Sequence, residues 1–160
     1  MPALSLFVAA AAMAHLTPDG WGAARIGMTR QQVERALHIR LKGEPIDSEQ
    51  ACVEVQPVGR DQGIWFMFQN YKLTRISIGD PSGVTTPRGI GIGATAAEVR
   101  RAYGKKLRAE PHHYEGLPSE YLTYWVRPET RGVRFETNLK RRVQTIHAGN
   151  GTIQLVEGCA

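Results

Sequence analysis

Ile26-Gly27-Met28-Thr29-Arg30-Gln31-Gln32-Val33-Glu34-Arg35-Ala36-Leu37 returns later in the chain as Ile92-Gly93-Ala94-Thr95-Ala96-Ala97-Glu98-Val99-Arg100-Arg101-Ala102-Tyr103, at an offset of 95 − 29 = 66 residues. The same offset carries Leu41-Lys42-Gly43-Glu44-Pro45 onto Leu107-Arg108-Ala109-Glu110-Pro111. Gly63-Ile64-Trp65-Phe66 then aligns with Gly132-Val133-Arg134-Phe135, at 132 − 63 = 69. Ile76-Ser77-Ile78-Gly79-Asp80 aligns with Ile146-His147-Ala148-Gly149-Asn150, at 146 − 76 = 70. Small loop insertions account for the drift. Self-similarity at a nearly fixed period marks a repeated structural unit. The sequence therefore predicts two copies, over residues 15–83 and 84–160.

Each copy opens with a helix. Thr29 with Gln32, and Thr95 with Glu98, have the spacing of capping boxes. Val33, Ala36 and Leu37 then share one helical face, as do Val99, Ala102 and Tyr103. Gly104 supplies a stop for the second helix, and Pro45 and Pro111 end the segments that follow. Strands are expected near 51–56, 63–69 and 72–79, and near 120–127, 131–137 and 141–148. Asn70 and Asn138 mark turns, and Asp80-Pro81-Ser82-Gly83 begins the link between copies. Gly149-Asn150-Gly151 predicts a hairpin turn into a last strand near 152–157. The fold class is α+β: two tandem units, each a helix followed by an antiparallel meander.

Ile-Gly-x-Thr-x-x-x-Val-x-x-Ala-Leu/Tyr, a Pro-terminated segment and a meander, in tandem, resemble the BLIP-like fold over about residues 20 to 158. That group includes the secreted beta-lactamase inhibitory proteins, with two such units, and the SmpA/OmlA outer-membrane assembly lipoproteins, with one. The resemblance implies helices on one sheet face and a partner on the other. It carries over no inhibitor contact residue, and the acylated cysteine of the lipoproteins is missing. The ending Val156-Glu157-Gly158-Cys159 also resembles that of small exported bacterial proteins.

The chain has 160 residues, a hydrophobic fraction of 42% and a formal net charge of +5. The hydrophobic fraction is too high for disorder. The densest basic runs are Arg100, Arg101, Lys105, Lys106, Arg108 and Lys140, Arg141, Arg142. They read as solvated surface, with attraction to an acidic partner or an anionic envelope surface as the alternative. The apolar run at the N-terminus is too short to span a bilayer. Ala12-Met13-Ala14 has the small-x-small pattern of a signal-peptidase site, so residues 1–14 read as a signal peptide. A buried N-terminal helix is the alternative. The expected location is periplasmic or secreted, without a stable membrane anchor. Cys52 and Cys159 are the only cysteines. In an exported chain they predict one disulfide, against two unrelated thiols.

Catalytic signatures are missing: there is no GxSxG elbow and no HExxH. Gly91-Ile92-Gly93-Ala94-Thr95-Ala96 fits a loose dinucleotide pattern but lacks a βαβ setting, so it reads as a turn into a capped helix. No nucleic-acid motif is present, and no cofactor or metal ligand set is assigned. His112-His113-Tyr114-Glu115 is the richest polar cluster. A metal site or envelope enzyme using the His112/His113 loop, with His15 or His147, is the alternative function.

Strand parity supplies the site. Side chains alternate between sheet faces. Ile64, Phe66 and Phe68 match Val133, Phe135 and Thr137; Ala51, Val53 and Val55 match Leu122, Tyr124 and Val126. This parity should face the helices. The opposite parity holds Glu54, Trp65, Met67, Arg75 and Ser77 in copy one, and Thr123, Trp125, Arg134, Glu136, Thr145 and His147 in copy two. Its mixture of Trp, Met, Arg and His suits a protein interface. The expected partner-binding residues are Trp65, Met67, Arg75, Trp125, Arg134, Glu136 and His147. Trp65, Met67, Trp125 and Arg134 should be accessible there. The functional expectation is a non-enzymatic binding protein, as an inhibitor or an envelope-assembly accessory.

Overall fold

Both helices begin at their capping boxes. In α1 (Arg30–Leu37) the Thr29 hydroxyl accepts from the Gln32 amide at 3.3 Å, and the Gln32 side chain accepts from the Thr29 amide at 2.8 Å. In α2 (Ala96–Tyr103) the Thr95 hydroxyl accepts from the Glu98 amide at 3.2 Å, and Glu98 accepts from the Thr95 amide at 2.7 Å. Orphan amides of each first turn are thereby satisfied. α1 stops at His38, which adopts a left-handed φ of 53°, and α2 stops at Gly104, with φ 66°. Val33, Val99 and Tyr103 are buried against the sheet side of the core.

The computed structural model describes residues 14–47, 51–59 and 62–159. The expected signal peptide, apart from Ala14, falls outside them. Three two-residue strands, β1 (Leu16–Thr17), β2 (Gly20–Trp21) and β3 (Ala24–Arg25), form a small antiparallel sheet before α1. After α1 come β4 (Leu41–Lys42), β5 (Cys52–Pro57), β6 (Ile64–Gln69) and β7 (Lys72–Gly79). After α2 come β8 (Arg108–Pro111), β9 (Glu120–Arg127), β10 (Arg131–Thr137) and β11 (Val143–Gly149). These eight strands form one sheet in the order β4-β5-β6-β7-β11-β10-β9-β8. The last strands of the two sets thus meet at its centre, where Ser77 faces His147 and Ile76 faces Ala148. The result is a mixed α+β fold built on antiparallel sheet.

The same reciprocal bond pair pins each helix entry to the sheet. Gly27 N donates to Leu73 O at 2.8 Å and Leu73 N to Met28 O at 2.7 Å; Gly93 N donates to Val143 O and Val143 N to Ala94 O, both at 2.8 Å. Both glycines have positive φ, 96° and 88°, which favours Gly at these turns. The core lies between the helices and one sheet face. Phe66, Phe68, Phe135, Ile76, Ile78, Ile146 and Leu122 fill it with full burial.

The structure corrects three local expectations. The Pro-terminated segments after each helix are themselves strands, β4 and β8, and flank the sheet. No strand forms near 152–157: Gly151–Gln154 is a 3-10 turn, because the Asn150 side chain accepts from the Thr152 amide at 3.0 Å and caps it. Val126 is 58% exposed although Val55, its counterpart, is buried. The register of β9 with β10 shifts between Arg131 and Gly132, pairing Arg127 and then Trp125, so Val126 falls in a bulge.

Candidate functional site

The sheet face turned away from the helices is polar and densely paired. Cross-strand neighbours Ser77 and His147 share a hydrogen bond of 2.7 Å between Oγ and Nδ1. His147 Nε2 faces Glu136 Oε2 at 3.5 Å, and the other Glu136 oxygen takes His112 Nε2 at 2.7 Å. Gln144 donates to that same oxygen at 3.3 Å. One carboxylate therefore joins two imidazoles from different parts of the chain. Burial would push the Glu136 carboxyl up, but the hydrogen bonds and charges of His147 and His112 outweigh it and hold it at about 2. Burial pushes the His147 imidazole below its ordinary value, against the opposing bond to Glu136.

Tyr121 organises the second half of this face. The His112 ring stacks on it with centroids 4.8 Å apart, and the Arg134 guanidinium lies over it at 3.9 Å. Arg134 also faces Glu110 at 3.5 Å. The two tryptophans share another arrangement. The ring of Trp65 lies against Gly79, and that of Trp125 against Gly132, where a Cβ would meet the ring. Each glycine leaves room for an indole, and both indoles are half-buried there.

The C-terminal segment crosses this face. Cys159 is joined to Cys52 in a disulfide, with Cα atoms 5.3 Å apart. Arg75 Nη1 donates to the carbonyls of Thr152 and Leu155, both at 3.1 Å, and Nη2 to Glu54 at 2.5 Å. The 3-10 turn packs against β7, β10 and β11. Glu157 accepts a hydrogen bond from Tyr114 of the loop after β8.

This placement corrects the expected accessibility. Met67, Arg75 and Arg134 are 1%, 3% and 6% exposed. Met67 does stand outside the helix-side core cluster, as its parity requires. Arg75 is covered because the chain's own C-terminal segment takes its donors, and Arg134 because it lies over Tyr121. Trp65, Trp125, Glu136 and His147 are half-buried. Arg75 Nε, Arg134 Nε and Thr123 Oγ1 are buried and find no hydrogen-bond partner among the described residues, and all three belong to this face.

Parity brought Trp65, Arg75, Ser77, Arg134, Glu136 and His147 to one face, but it missed His112 and Tyr121. The alternation of the His112-His113 pair was the available signal, since only one of them can point at the sheet. His113 is exposed and joins neither Glu136 nor His147. Among the described residues no group of three or more His, Cys, Asp or Glu side chains is arranged to hold a metal ion. Compared with known proteins, the chain matches no family model, no curated protein and no solved structure.

Proposed function

We propose that this chain is an exported, non-enzymatic binding protein, acting in the periplasm or outside the cell as an inhibitor or an envelope-assembly accessory. Its protein partner docks on the sheet face opposite the helices. On this reading the molecule is two tandem helix-plus-meander units in the manner of the BLIP-like fold. The observation that carries the proposal is the pair of half-exposed indoles on glycine seats, flanking a preordered polar strip. A rigid indole gives a partner a large apolar area at low entropic cost. The paired imidazoles and carboxylate are held in place before binding, so little ordering is needed. The disulfide fits an oxidising compartment.

Capture from periplasmic extract tests the proposal. Trp65→Ala and Trp125→Ala should each weaken a captured complex by about 2 kcal/mol or more, with cooperative unfolding retained. Unchanged capture by both variants would refute it. A second reading, an envelope enzyme or metal protein at the His112 loop, draws on the convergence of His112 and His147 on Glu136. One bound metal per chain in purified protein would favour that reading.

A further inference from the structure

Arg100 of α2 and the basic run of the β10–β11 turn, far apart in the sequence, meet on the helix side of the molecule. Arg100 of α2, and Lys140, Arg141 and Arg142 of the β10–β11 turn, line one open groove of about 870 Å³, with Leu117 and Pro118 as apolar wall. The turn is firmly built. Asn138 Oδ1 accepts from the amides of Lys140 at 2.9 Å and Arg142 at 3.1 Å. Arg141 takes a left-handed φ of 56°, and its carbonyl accepts from Ala96 N at 2.9 Å. Arg142 Nη1 reaches the Gly93 carbonyl at 2.9 Å. The side chains of Lys140 and Arg141 are exposed and make no ion pair among the described residues.

The positive charge is not a demand of the fold. The corresponding β6–β7 turn, Asn70-Tyr71-Lys72, carries one cation where this one carries three. Two acids oppose the four cations. Glu120 pairs with Arg100 at 2.7 Å, and Glu98, the α2 capping residue, feels Arg142. The balance is 4 − 2 = +2. Beside these cations two leucines face outward: Leu117 is 68% exposed and Leu139 is 58% exposed. Neither adds to the core.

Cations carried on a well-ordered turn beside exposed apolar loop tips match the chemistry of a lipid interface. The cations meet headgroup phosphates while the leucines enter the headgroup–acyl boundary. An acidic protein partner would match the charge without using the leucines. We infer that this groove docks the protein peripherally on an anionic phospholipid surface. No helix among the described residues is long and apolar enough to cross a membrane; the inferred contact is made by the basic groove and the leucine tips. It leaves the opposite sheet face outward, and it does not depend on that face binding anything.

Vesicle flotation of the full chain tests the inference, with phosphatidylcholine alone and with phosphatidylglycerol added. Binding should require phosphatidylglycerol and weaken with salt. Each removed charge should cost roughly fivefold in partitioning, so Lys140→Gln with Arg141→Gln should lose about 25-fold. Lys105→Gln with Lys106→Gln removes equal charge at the other end of α2 and should lose much less. Leu117→Ser with Leu139→Ser should also weaken binding. Circular dichroism checks that each variant is folded. The inference is overturned if phosphatidylglycerol vesicles are not bound at low salt. It is equally overturned if both charge pairs lose alike, or if the leucine pair has no effect while polyglutamate competes fully, the behaviour of a site for acidic protein.

Discussion

Arg75→Met removes the guanidinium that clamps the C-terminal segment to the sheet. The side chain is buried, and it donates to two tail carbonyls at 3.1 Å and to Glu54 at 2.5 Å. Hydrogen bonds to a charged group contribute about 1.5–3 kcal/mol each, and the lower value suits tail carbonyls near solvent. The Glu54 side chain is 34% exposed, so water replaces much of that pair and about 1 kcal/mol remains. Burying a methionine and releasing the guanidinium to water in the unfolded chain returns part of the loss. The net destabilisation should be about 2–3 kcal/mol. The disulfide acts on the same segment. It spans 107 residues, and a loop of that size stabilises by about 4.7 kcal/mol in the chain-entropy model. Urea unfolding of four proteins would separate the two effects: wild type, Arg75→Met, Cys52→Ala with Cys159→Ala, and the triple variant. Once the tail is untied it detaches locally, so Arg75 has less to hold. The effects should therefore fall short of additivity by at least about 1 kcal/mol. Additivity within about 0.5 kcal/mol would show that Arg75 does not clamp the tail.

Three further outcomes are expected. Thr29→Ala and Thr95→Ala should each cost about 1 kcal/mol in urea unfolding, since each hydroxyl caps its helix in the same way. Glu136, held at about 2 against an ordinary 4.5, should stabilise the fold above the higher value and lose that contribution as pH falls toward the lower one. Denaturation across that window should therefore be steeper for wild type than for Glu136→Gln. His147, whose folded value is lowered from 6.5, should add a loss that begins as pH drops below that point. Gly132→Ala puts a Cβ into the Trp125 ring; it should displace the indole, shift its fluorescence and cost about 1–3 kcal/mol.

Much of the fold was legible because local rules agreed with one another. The capping boxes at Thr29 and Thr95 fix the helix starts, and strand alternation puts Phe66 and Phe135 in the core and His147 and Glu136 on the other face. β4 and β8 escaped notice because segments of two and four residues are too short to carry a periodic signal. Met67 and Arg134 show the limit of parity. Alternation assigns a face, but exposure depends on what else lies there. For the tail that information was within reach. Cys52 has the parity of Glu54, so a bridge from Cys52 to Cys159 must bring the C-terminus over the face taken to be open. His112 could not be placed without the β8–β9 pairing, which sets where the loop after Pro111 turns back.

Photo-crosslinking tests the central claim most directly. A photoreactive residue would replace Trp65 or Trp125 on the proposed partner face, and Arg35 or Arg101 on the exposed sides of α1 and α2. Illumination in intact cells followed by mass spectrometry reads out the adducts. The account predicts one common protein adduct from Trp65 and Trp125 and its absence from Arg35 and Arg101. The same adduct from the helix positions, with none from either tryptophan position, would contradict it.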